Sequence, residues 1–142
     1  MREVKYRGKR ADNGEWIYGN LLRIETCFIV PFVTNGSWIK KELMLKFLSP
    51  CYEVDAKTVG EFSGVKDINS KEMYEGDIIK GVDPVKEANR IKERYYIGVI
   101  EWQSSGFVVR DKHGSFITLP LSAAKSRVLG DKFENPDLLE VD

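Results

Sequence analysis

The stretch RYYIGVIEWQSSGFVVRDKHGSFITLP, residues 94–120, decides the fold class. Three apolar-aromatic runs, RYYIGVIEW, FVVRD and SFITLP, are separated by two short polar turns, QSSG and DKHG. The first run alternates with period two, so Tyr96, Ile100 and Trp102 fall on one face of a strand. The pattern predicts a three-strand meander between Arg94 and Pro120.

The same signal recurs on both sides. VKYRGKR and EWIYGNLLRI flank Asn13-Gly14, a dipeptide that favours a type I′ hairpin turn. CFIVPFV predicts a third strand, with Pro31 marking an edge or a bend. Asn35-Gly36 predicts another turn, and ELMLKFL, residues 42–48, reads as strand or short helix. Beyond Pro50, CYEV, TVGEF, GDIIKG and RVLG are further strand pieces, and NPDLLE forms one helical turn. Residues 83–95, DPVKEANRIKERY, read differently. Asp83 is placed to cap, Pro84 suits a first helical position, and Val85, Ala88 and Ile91 make a thin stripe. This segment is expected to be a short surface helix or a long hairpin loop with helical tendency.

The chain of 142 residues, 42% apolar and 31% charged, is expected to fold. The expectation is an all-β protein with at most one or two short helices, its twisted antiparallel sheets closing into one or two SH3-like barrels. It reads as one domain over 1–142 that can divide into two lobes, 1–50 and 51–142. The 22 basic and 22 acidic side chains balance, which argues against a strongly basic nucleic-acid module. No apolar run approaches the ~18 residues of a membrane helix. MREVKYRGKR is followed by no apolar segment of the signal-peptide kind. A cytoplasmic location follows, with Cys27 and Cys51 expected as reduced, buried thiols. One histidine and no Cys-x-x-Cys pair leave zinc without its usual ligands.

Four groups of residues could carry chemistry. KEMYEGDIIKG, residues 71–81, places Glu75 and Asp77 two apart, the spacing for an acid–base pair or a hard cation. Gly76 between them marks a turn, which favours a structural role with carboxylates bonding backbone amides. Asp67 and Asn69 open a weak calcium-loop pattern that fails at Glu72 and Ile78. Lys5, Arg7 and Lys9 would share one face of the first strand, about 6.8 Å apart, and Arg10 extends the row. Such a row can track phosphates, or it can protect an exposed edge strand from aggregation. Trp16, Tyr18, Trp38, Tyr95, Tyr96, Trp102 and Phe107 could stack bases, although their positions suit core packing better. His113 lies beside Asp111 in a turn, with no nucleophile elbow in the chain.

Several blocks also resemble one family. MREVKYRGKRADNGEWIYG, TVGEFSGVKDINSKEMYEGDII, GVIEWQSSGFVVR and RVLGDKFENPDLLE are similar, in this order, to blocks of the YopX-like phage and prophage proteins. Those proteins usually carry threonine where Ser63 stands and glycine where Ser70 stands, and a shorter link than residues 82–94. The resemblance implies a small, mostly β protein of phages of Gram-positive bacteria and their relatives, without an assigned reaction. It implies a structural role for Asn13, Gly14, Trp16, Gly60, Gly64, Asp67, Tyr74, Glu75, Gly76, Asp77, Gly98 and Trp102. The expected function is that of a non-enzymatic phage or prophage accessory protein, binding a host or phage protein or itself. Exposed edge strands such as residues 3–9 would serve β-addition. The alternatives are a nucleic-acid module using the basic strand and a hydrolase using Glu75 and Asp77. No cofactor, metal or membrane partner is expected.

Overall fold

The computed structural model describes residues 4–23, 26–31, 51–104, 106–119 and 125–140. The Asn35-Gly36 turn, Trp38 and the 42–48 segment lie outside the described residues. The chain divides into two compact units, Met1–Glu61 and Phe62–Asp142.

In the first unit, β1 (Tyr6–Lys9), β2 (Trp16–Arg23), β3 (Cys27–Pro31) and β4 (Tyr52–Val54) form an antiparallel ladder in the order β4-β3-β2-β1. The first residues of β5 (Gly60–Lys66) pair with β1 on its other side, Tyr6 with Glu61 and Arg7 with Gly60. Cys27, Ile29 and Val54 form the buried centre, with Tyr6, Ile17, Leu21 and Val59 against it. The β1–β2 connection is longer than a type I′ turn. Arg10 N–H donates to the Glu15 carbonyl at 2.9 Å and Gly14 N–H donates to Arg10 at 2.9 Å. Only Gly14 of the Asn13-Gly14 pair takes positive φ, at 74°. Asn13 instead accepts from Glu15 N–H through its side-chain oxygen, 2.9 Å away, in an Asx turn.

In the second unit, the rest of β5 pairs with β6 (Glu72–Tyr74). A five-stranded antiparallel sheet has the order β10-β9-β8-β7-β11. Its strands are β7 (Asp77–Glu87), β8 (Arg90–Gln103), β9 (Gly106–Arg110), β10 (Phe116–Thr118) and β11 (Arg127–Asp131). The meander expected over 94–120 is β8-β9-β10. Met73, Ile79, Ile100, Phe107 and Val109 make the core, flanked by Val65, Tyr96, Ile117, Leu119 and Val128. β11 carries one extra residue, Leu129, against β7, a bulge that shifts its register.

The all-β class holds, and the described residues contain no α-helix; short 3-10 turns lie at Ala56–Thr58 and Pro136–Glu140. The five-stranded sheet does not close into a barrel among the described residues, and in the first unit the Arg10–Val54 bridge ties β4 back to the end of β1. β10 and β11 each pair on one side only, and with three and five residues they are short outer strands of an open sheet.

The helical reading of 83–95 is corrected. β7 and β8 pair without a break from Ile78–Val99 to Glu87–Arg90. Ala88 and Asn89 have φ 42° and 66°, so they form the two-residue positive-φ turn that suits the twist of a hairpin. A three-residue apolar stripe gives a helix little tertiary support. Pro84 is tolerated in the strand because β11 pairs β7 only over Asp77–Lys80, so no other described strand needs the N–H that Pro84 lacks.

Candidate functional site

The YEGD turn is a structural junction. Gly76 takes φ 97°, a conformation that excludes most side chains. Its N–H donates to the Ile100 carbonyl at 2.8 Å, and its own carbonyl accepts from Lys132 N–H at 2.9 Å. The buried Asp77 carboxylate accepts from Tyr74 N–H at 2.8 Å. Tyr74 is buried with its ring centroid 5.5 Å from that of Phe62. Glu75 is half-buried. Asp77 thus holds the turn it closes, its carboxylate accepting from the Tyr74 backbone amide.

The DINSK turn is a second junction. Asp67 Oδ1 accepts from the N–H groups of Asn69 and Lys71, at 2.8 and 2.9 Å. Its Oδ2 accepts from Val128 N–H at 3.0 Å, which fastens the turn to β11. Burial alone raises the Asp67 pKa, but the Val128, Lys71 and Asn69 amides and the Lys71 charge outweigh it and hold the carboxyl below its ordinary value. No cluster of three metal-binding side chains exists among the described residues.

The basic row is not an open track. Arg7 is only 4% exposed, with its guanidinium 4.2 Å from the Trp16 ring centre. The Lys9 ammonium lies 5.4 Å from the same ring, and Lys5 and Lys9 are half-buried. Arg10 lies over Tyr52 at 4.3 Å and makes two hydrogen bonds to Asp12, which lower the Asp12 pKa. The reading of residues 3–9 as an exposed edge is corrected, because β1 has β2 on one side and β5 on the other.

The remaining expectations also divide. Gly60 and Gly98 are buried, and Gly64 takes φ 88° between the two β5–β6 pairings. A Cβ at Gly98 would meet Val109 Cγ1 and the Arg110 carbonyl of the neighbouring strand. Trp16 and Tyr96 are half-buried and Phe107 is buried, as core packing requires. Tyr18 and Trp102 are 43% and 47% exposed, although Trp102 meets Phe107 edge-on at 4.8 Å between centroids. Asp111 accepts from the backbone amides of His113 and Ser115, and His113 is exposed. Cys27 is buried, but Cys51, just before β4, is exposed.

What sequence reasoning missed is the outer half of the β7–β8 hairpin. From Gly81 to Tyr96 the two strands pair only with each other among the described residues. Ile91 is 78% exposed and Tyr95 68%, both on one face of β8 by alternation. Glu87, Arg90, Lys92 and Glu93 around them are exposed. The period-two run RIKERYY, alternating cations with Ile91, Glu93 and Tyr95, was the available signal.

No curated protein matches the chain. Among solved structures, the crystal structure of protein EF1440 from Enterococcus faecalis matches with a TM-score of 0.56 at 21% identity, covering 98% of this chain and 99% of that one. That likeness concerns the fold. Residues 5–140 match the family described as YopX protein, across both compact units and nearly the whole sequence. The chain therefore belongs to the YopX family.

Proposed function

We propose that this YopX-family protein is a non-enzymatic phage or prophage accessory protein of the bacterial cytoplasm, whose work is to bind another protein through the β7–β8 ribbon. The observation that carries this reading is the exposure of Ile91 and Tyr95 on a ribbon whose outer edges meet no other described strand. Large apolar side chains held out on a two-stranded arm suit contact with a partner. The employment of Asp67 and Asp77 in backbone junctions supports the non-enzymatic part.

The test is a pulldown from host lysate with and without nuclease, comparing wild type with an Ile91→Asp, Tyr95→Ser double variant. The expected result is a protein captured by wild type, retained after nuclease and lost with the variant. Equal capture by both proteins overturns the reading. So does recovery of nucleic acid whose accompanying proteins vanish after nuclease.

A further inference from the structure

The ribbon's two edges are chemically different. Gly76 N–H, just before β7, donates to the Ile100 carbonyl. This fixes the even-numbered residues of β8 as those whose backbone groups face β7. The register from Val99 to Arg90 is unbroken, so the alternation carries through. The N–H and C=O groups of Ile91, Glu93 and Tyr95 therefore point away from β7. β9 pairs β8 only over Val99–Gln103 and does not reach them. On β7, the corresponding outward position is Pro84, which has no N–H and blocks a strand at mid-edge. The β8 edge is the usable one.

The side chains select what can lie there. Along β8, Arg90 and Lys92 occupy one face. Ile91, Glu93 and Tyr95 occupy the other. In an antiparallel pair, an outward-pointing residue must face another outward-pointing residue. A second copy of β8 would thus place its own basic row beside this one, and like charges directly opposite destabilise a sheet. Lys92 also lies 3.6 Å from Glu87, but both side chains are largely exposed, and such a pair is weak. Glu87 also sits on β7, one strand further from the free edge.

Resting on the ribbon as the binding surface, we infer that β8 accepts an extended segment of a different protein as an added strand, with acidic residues on alternate positions and apolar residues between them. The carboxylates lie beside Arg90 and Lys92, and the apolar side chains lie beside Ile91 and Tyr95. Backbone bonds to Ile91, Glu93 and Tyr95 supply the register.

The test uses the full chain and two short synthetic peptides, one alternating glutamate with valine, the other lysine with valine. The glutamate peptide is expected to bind at least about tenfold tighter, from several cross-strand charge pairs. It should slow hydrogen exchange at the Ile91, Glu93 and Tyr95 amides. Glu93→Pro, which removes an outward N–H and none that faces β7, should abolish binding. Should that variant fold poorly, an Arg90→Glu, Lys92→Glu double variant gives the second reading, because it should reverse the peptide preference. Equal affinity for both peptides, no binding, or protection elsewhere overturns strand addition. If the Ile91→Asp, Tyr95→Ser variant still loses its lysate partner in that case, only strand addition falls. If that variant keeps its partner, the ribbon reading itself falls.

Discussion

The inner and outer halves of the β7–β8 pair share one ladder but not one environment. At the inner end, Ile78, Ile79, Val99 and Ile100 are buried, and β11 and β9 flank the pair. At the outer end the same strands continue with no described neighbour on either side, and Glu87–Glu93 are exposed. Alternation and strand-forming residues set the backbone in both halves. Burial against a second layer sets the energy, and only the inner half has it. The sharpest way to break this comparison is to delete matched side chains. Ile100→Ala should destabilise by about 2–5 kcal/mol, because it opens a cavity in a packed core. Ile91→Ala should stay within about 0.5 kcal/mol. Denaturant unfolding of both variants checks this, and a large effect at Ile91 would mean that the ribbon is packed in solution.

A smaller effect is expected where β11 is fastened to the inner half. Asp67→Ala leaves the Val128, Lys71 and Asn69 amides without their carboxylate partner. The expected loss is about 1.5–3 kcal/mol, typical of hydrogen bonds to a charged group. The Asp67 pKa is depressed on folding, so its contribution is present above the unfolded value, about 3.9. That contribution disappears as pH falls below this value and through the folded one. Wild type should therefore lose stability below about pH 4 more steeply than Asp67→Asn, measured by urea midpoints across pH.

Gly81 stands at the boundary between the halves, directly after the last β7 residue that pairs with β11. A Cβ there would lie 2.6 Å from Tyr96 Cζ and 3.0 Å from Ser126 Cβ. Gly81→Ala should cost about 1–3 kcal/mol by overpacking, read from the same midpoints. A neutral result would mean that Tyr96 moves freely and that the packed half ends before Gly81.

Legibility in the sequence followed the range of the interactions. The meander, the Gly76 turn and the terminal helical turn depend on local alternation and turn chemistry, and all are readable in short windows. The ribbon was not, because Pro84 after Asp83 is equally good at a helix start and on a free strand edge. Only the lack of a neighbouring strand among the described residues decides between them. The basic row failed for a similar reason: its spacing is local, but the burial of Arg7 depends on β1 lying between β2 and β5. Ser70 shows sequence and structure meeting at one residue. It takes φ 64°, in the left-handed region that glycine enters at little cost. Ser70→Gly should relieve left-handed strain and stabilise by roughly 0.5–1 kcal/mol, seen as a higher midpoint.

The smallest expected change lies at the ribbon's one described ion pair. Lys92 and Glu87 approach to 3.6 Å with 75% and 67% of their side chains exposed. Water screens such a pair, and ordering two long side chains offsets much of the attraction. Lys92→Ala should shift stability by less than about 0.5 kcal/mol in either direction. A double-mutant cycle with Glu87→Ala isolates the coupling from the loss of each side chain. Coupling above about 1 kcal/mol would place the pair in a desolvated contact, and the outer half would then resemble the inner one. Coupling near zero, together with weaker binding of the glutamate–valine peptide to Lys92→Ala, would separate the two roles of this residue. Lys92 would then act on what the ribbon holds while leaving the ribbon's own stability unchanged.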